Sequence, residues 1–153
     1  MIIFNDPKRI PEDYGIRIAG GCIIYFFVMR IFGLEQHYEL RYLNGLIQIA
    51  GIYLALKKFK ATHGAHLNYF RALAVGVATA AVGSLLFAAF LFLYMNTHPT
   101  LLQNVIDHEP MGHFLNVYMI SFIVALEGFF LGLLMTFVLI NYLNTDEVTG
   151  SQS

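Results

Sequence analysis

Glu127 has the most chemical potential of any residue in this chain, because it is an ionisable group inside an apolar run from Asn116 to Tyr142. At a helical rise of about 1.5 Å per residue it lies about 16 Å from the outer end of that run, close to the middle of a bilayer. A carboxylate at that depth costs about 2.5 to 3.5 kcal/mol, so it must face other helices, be paired, or carry a proton. Partners are found by depth. Arg30 stands just inside the outer end of the first apolar run, Gln48 in the second run is at a similar level, and Asn44 is one turn above Gln48. Asn44, Gln48, Gly51 and Ala55 also share one helical face. The expectation is an intramembrane polar cluster of Glu127, Arg30, Gln48 and Asn44. It is open to three readings: an Arg30–Glu127 pair that fixes the register of the first and last helices, a proton or ion relay or small-ligand site, or contact of Glu127 with a partner protein or headgroup.

The histidines raise the question of a metal. His98, Asp107, His108, Glu109 and His113 lie in or beside one connection, in which Asp107 to His113 reads Asp-His-Glu-Pro-Met-Gly-His. The two histidines of that segment are five apart, and Pro110 and Gly112 interrupt the helix that would present both on one face, so the zinc-protease pattern is not met. A solvated loop with no metal is the expectation. No histidine lies inside an apolar run, which argues against haem held between helices. Walker, nucleophile-elbow and dinucleotide patterns are missing as well, so neither a cofactor nor an enzymatic activity is expected.

The elements that position these residues are four apolar runs, about 14–34, 40–56, 72–95 and 116–142, making one transmembrane domain over 1–153 with a polar cytoplasmic tail at 144–153. About 20 apolar residues cross a hydrocarbon core of about 30 Å. The second run is short and needs Arg41 and Lys57 to reach the two interfaces. A composition 58% hydrophobic and 12% charged fits a bilayer rather than water as solvent. The net charge of −1 argues against nucleic acid as a partner. Cys22, the single cysteine, leaves no internal disulfide and reads as a packing residue. The first run is expected to be a retained helix rather than a cleaved signal, since Asp6, Glu12 and Asp13 crowd its basic flank.

Basic residues mark the cytoplasmic side. Lys8, Arg9, Arg17, Lys57, Lys58, Lys60 and Arg71 fall on one side, and only Arg30 and Arg41 on the other, so both termini are placed in the cytoplasm. His63 and His66 accompany the lysines, beside anionic headgroups. Seven of the nine tyrosines, Tyr14, Tyr38, Tyr42, Tyr69, Tyr94, Tyr118 and Tyr142, fall at run ends, where an amphipathic ring suits the headgroup region.

In lipid, helices associate through small side chains. The third run carries Ala72, Gly76, Ala80, Ser84 and Ala88 at intervals of four, and the fourth carries Gly128 and Gly132. These rows predict helix contacts, within one bundle or with a membrane-protein partner or a second copy. The phenylalanine clusters, such as Phe26-Phe27 and Phe129-Phe130, read as filling.

From Leu54 to Val105 the chain resembles a bacterial family of small four-span membrane proteins known only as a domain of unknown function. The resemblance rests on Ala55-Leu56-Lys57-Lys58-Phe59-Lys60, on Gly64 and Leu67 to Phe70, on Ala72 and Gly76, and on Pro99. It implies a bacterial inner membrane and a compact four-helix domain, with no ligand or activity to carry over. The expected class is an all-α, four-transmembrane-helix protein, a structural or accessory subunit that binds lipid or a partner through helix faces. The alternative is a transporter or channel component using Glu127, which would require oligomers.

Overall fold

The computed structural model describes the backbone of residues 9–34, 38–63 and 69–150, and side chains across 9–34, 42–62 and 69–143. Lys8, Glu35, Gly64 and His66, and the side chains of Glu39, Arg41 and His63, lie outside the described residues. The protein is all-α. Five helices run through the described residues: α1 Ile10–Ile31, α2 Tyr38–His63, α3 Tyr69–Thr97, α4 Pro99–His108 and α5 Val117–Gly150. A 3-10 turn at Gly112–Phe114 precedes α5.

α1, α3 and the Val117–Leu143 part of α5 are long and apolar enough to cross a membrane. Large apolar side chains such as Ile24, Leu93, Phe122 and Leu134 face outward on these helices. Helices apolar on all sides are those solvated by lipid. α2 has 26 residues, enough length to span, but it carries Asn44 and Gln48 in its body and Lys57, Lys58 and Lys60 near its end.

Boundaries differ from the hydropathy runs for a physical reason. Apolar content ends at Leu56, yet lysine is a good helix former, so α2 continues to His63 and the lysines ride on its last turns rather than in a loop. α5 likewise carries on past 142 to Gly150, so most of the segment expected as a tail is helical. The outer connection contains α4. Pro99 opens it at the first helical turn, where the missing N–H costs nothing. α1 ends in Gly33 with φ +66, and the N–H groups of Gly33 and Leu34 donate to Arg30 O at 3.1 Å and Met29 O at 3.0 Å. α5 starts from Asn116, whose Oδ1 accepts from the Met119 N–H at 2.8 Å.

α1 packs on α2 and α3, α5 packs on α3 and α2, and α2 and α3 also touch, which leaves α1 and α5 as the diagonal pair. The half of the bundle nearest the lysines is filled by Ile52, Leu56 and Ile140, all fully buried. Along the α3–α5 seam the small residues meet one another in antiparallel order. Gly76 faces Thr136, Ala80 faces Gly132, and Ser84 faces Gly128. A Cβ on Gly128 would stand 2.6 Å from Ser84 Cβ, and one on Gly132 would collide with Ala80 Cβ, so the glycines set how closely the two helices approach. The hydroxyls on the seam bond within their own helices: Ser84 Oγ donates to Ala80 O at 2.8 Å, and Thr136 Oγ1 to Gly132 O at 2.6 Å.

Candidate functional site

Above that filled half, the bundle holds a cavity of about 730 Å³ that is open on part of its boundary. Its cause is local. Ile18 on α1 is the last large side chain to fill the space between the helices, seated against Gly51 and Gly83. One turn further along α1 comes the smaller Cys22, while Gly45, Ser84 and Gly128 line the other walls. The diagonal pair α1 and α5 face each other across this space without close contact.

The floor is polar. Gln48, 7% exposed, passes beside the notch between Gly128 and Gly132 and donates from Nε2 to Gly128 O at 2.7 Å. A helical carbonyl has a second lone pair after its own i+4 bond, and a glycine leaves it uncovered. A Cβ on Gly132 would sit 3.1 Å from the Gln48 amide nitrogen, so glycine at that position also makes room for the side chain. One turn outward on α2 is Asn44, whose Oδ1 is buried with no hydrogen-bond partner. The Asn44 backbone carbonyl faces Cys22 Sγ at 4.0 Å. Glu127 lies on the same wall as Gly128, and it is exposed rather than enclosed.

The upper walls are apolar, built from Phe26, Phe87, Leu91, Met95, Ile120 and Val124. α4 closes the outer end. Leu101, Asn104, Val105 and His108 line the cavity from α4 at the i, i+3, i+4, i+7 spacing of one helical face, and Leu101 buries itself with Leu91 and Met95. Tyr42, Leu46 and Glu127 both line the cavity and reach the surface, so it opens along the α2–α5 seam.

The structure therefore brings three of the four expected polar residues, Asn44, Gln48 and Glu127, to one cavity. It does not bring Arg30 there. The Arg30 guanidinium lies 5.0 Å over the Tyr94 ring, on the α1–α3 side, within an aromatic group that includes Phe26, Phe27 and Phe90. One Arg30 nitrogen, Nη1, is buried without a partner. Arg30 and Glu127 both stand in the outer half, as their depth predicts, but α1 and α5 occupy opposite corners. The expected packing residues Ala72, Gly76, Ala80 and Ser84 on α3, with Gly128 and Gly132 on α5, lie on the buried seam between those two helices.

Cys22, expected as a packing residue, and His108, expected in a solvated loop, both line the cavity, as does Asn104, which the sequence did not single out. Pro99 followed by Leu101, Leu102, Val105 and Ile106 was the available signal for an amphipathic helix. The three histidines of the outer connection have neighbours of their own. His98 stacks on Tyr94 with centroids 4.4 Å apart, His113 lies tilted against Phe114 at 3.9 Å, and His108 Nδ1 lies 2.7 Å from Asn104 O. Among the described residues, no three His, Cys, Asp or Glu side chains converge on one point.

Fold and site together define an all-α protein of membrane type, with a polar-floored cavity inside the bundle. The chain belongs to the family described as protein of unknown function DUF4199, which matches residues 13–112. The match takes in α1 and α2 as well as the segment from Leu54 to Val105, and with them Arg30, Asn44 and Gln48; Glu127, Gly128 and Gly132 lie beyond it. Neither the curated proteins nor the solved structures hold a match to the chain.

Proposed function

We propose that this chain is a four-crossing protein of a bacterial inner membrane, with both termini cytoplasmic, that works by holding a small lipid-like molecule inside its bundle and performs no reaction of its own. The observation that carries this reading is the 730 Å³ cavity, with a polar floor, apolar side walls, and Asn104 and His108 among the residues at its outer end. Its size lies in the range of about 300 to 1,000 Å³ used by ligand sites, and so does its make-up of apolar walls with a few placed polar groups. The opening between α2 and α5 would admit a molecule from the bilayer.

A role as an accessory subunit fits the same geometry, with the bound lipid shared with or presented to a larger assembly. A protein partner docked on the small-residue row of α3 fits less well, because α5 already covers that row. A second reading is favoured by one observation, the position of Glu127 on the cavity wall. In that reading the chain is a proton, ion or small-solute transporter component, and Glu127→Gln would abolish the pH dependence of flux.

Extraction from its own membrane in native lipid discs, followed by mass analysis of the particle, tests these proposals. A stoichiometric lipid retained after exchange into synthetic lipid supports the binding role. A co-extracted polypeptide names the assembly. Free exchange of every lipid, with no partner present, would overturn both.

A further inference from the structure

We infer that the cavity takes a linear amphiphile polar at both ends, whose inner end is an ammonium group seated on Gln48 and Ser84 at the floor. This inference rests on the proposed binding role and adds the chemistry of the inner headgroup. The side-chain oxygen of Gln48 carries it.

Gln48 is 7% exposed, and its neighbour settles which way its amide points. The Gly128 carbonyl can only accept, so the edge of the amide that meets it at 2.7 Å is the NH2 group. Oε1 is thereby turned to the other side. Among the described residues nothing donates to it, and unlike Asn44 Oδ1 it keeps surface that a small molecule can reach. Gln48 lines the cavity, so Oε1 is a fixed acceptor open to a ligand.

The groups beside it have the same sign. Ser84 Oγ spends its one hydrogen on Ala80 O at 2.8 Å, so what it offers at the level of Gly128 is lone pairs. Glu127, next to Gly128 in sequence, brings a carboxylate to the same wall. Asn44, one turn outward, has no hydrogen bond among the described residues to fix its amide, so it can present oxygen or nitrogen and does not decide the sign. Such a floor matches a group that only donates. An ammonium has three hydrogens and no lone pair, whereas a hydroxyl leaves its own lone pairs facing acceptors and a carboxylate brings lone pairs alone. Gln48 lies about 14 Å along α2 from Lys57, deep enough for a charge to be costly, and the Glu127 carboxylate at that level offsets the cost for a cation.

The rest of the space sets the rest of the molecule. From Ser84 to Met95 the α3 wall rises about 16 Å past Phe87 and Leu91, which suits an apolar chain. Beyond it, α4 and its C-cap bring Asn104, His108 and Glu109 to the outer end beside Leu101 and Val105, which suits a second polar group. Among the described residues, Glu127 and Glu109 line the cavity and no lysine or arginine does, so its charge favours a cation along its whole length.

The test uses the full chain in phosphatidylcholine discs and four radiolabelled probes of equal chain length: ω-aminododecanol, α,ω-dodecanediol, ω-hydroxydodecanoate and dodecylamine. The first three share a hydroxyl at one end and differ at the other; the fourth keeps the ammonium and ends in a methyl group. Saturable binding is measured above that of empty discs. The expected result is one aminododecanol per chain, held about tenfold tighter than the diol, with the carboxylate weakest and dodecylamine about threefold weaker than aminododecanol. Gln48→Leu should weaken aminododecanol by about tenfold, the loss of one hydrogen bond to a charged group, and the diol by less, so that the preference flattens. Ser84→Ala, which keeps the α3–α5 seam closed, should weaken aminododecanol by about threefold.

A diol or hydroxycarboxylate bound as tightly as aminododecanol would overturn the ammonium seat while the binding role stood. An ammonium preference untouched in folded Gln48→Leu would overturn it too, and would move the cation to Glu127. Dodecylamine equal to aminododecanol would remove the polar second end. No saturable binding of any probe by folded protein would remove the binding role itself. Should Gln48→Leu fail to fold, the wild-type order of the probes and the Ser84→Ala result decide the question alone.

Discussion

Single side chains set the floor of the cavity, and two of them give sharp expectations. Gln48→Leu keeps the volume and removes the 2.7 Å bond to Gly128 O. The carbonyl keeps its own helical bond, so the loss should be about 0.6 to 2 kcal/mol, read as a shift in the unfolding midpoint in detergent. Arg30 and Glu127 should behave as independent residues. In a double-mutant cycle with Arg30→Gln and Glu127→Gln, their effects on stability are expected to add within about 0.5 kcal/mol, whereas an ion pair between them would show a larger coupling. Much of this residue scale was legible in the sequence. Asn44 and Gln48 stand four apart on one helix, and counting rise per residue placed Glu127 near their level. The partner of Arg30 was not legible, because depth says nothing about which corner of a bundle a helix occupies. Cation–π contact with Tyr94 leaves no spacing signature within either helix.

Elements are held apart or together by the small-residue rows, and the α3–α5 seam is the strictest case. Gly132→Val drives a branched side chain into Ala80, so α5 must move away from α3 or the bundle must fail. Overpacking of this kind costs about 1 to 3 kcal/mol or more, and a lowered unfolding temperature with loss of the compact species on gel filtration is the expected outcome. Gly20→Ala is the control, since nothing lies within 4 Å of the added methyl group. It should leave stability within about 1 kcal/mol of the parent. The seam was readable as spacing: intervals of four on one run and a pair of glycines on the other. Which surface would cover the row was not readable, because a groove of small residues looks the same whether its occupant is a helix of the same chain or of another. α4 escaped for a different reason. Ten residues are too few for a span, and Pro110 and Gly112 drew the whole connection toward a loop, although Leu101, Leu102, Val105 and Ile106 repeat at helical spacing. That short helix caps the outer end of the gap between α1 and α5, which stays open along the α2–α5 seam.

Over the whole molecule, the number of crossings is the property that fixes orientation. If α2 crosses along with α1, α3 and α5, a label placed ahead of Ile10 and one placed after Gly150 lie on the same side of the membrane. Single-cysteine variants in a Cys22→Ala background, treated with a membrane-impermeant maleimide, should therefore show both positions protected in intact cells and both labelled after lysis. Opposite sides would mean that α2 does not cross. Membrane character was plain from composition, and the three strongly apolar helices were found by hydropathy. Helix ends were not, because lysine and glutamate at the membrane surface continue a helix about as readily as leucine does inside it. α5 is the longest instance. Its 34 residues make a rod of about 51 Å, against a hydrocarbon core of about 30 Å. The seven residues from Asn144 to Gly150 alone carry it about 10 Å past its last apolar turn. Lys60 Nζ, donating to Leu143 O at 3.2 Å, braces the rod against α2 where it leaves the bilayer. A fluorescent protein fused behind Gly150 would thus ride on a stiff mast at a set height above the lipid, and its orientation would be polarised relative to the membrane normal rather than averaged by a slack tether.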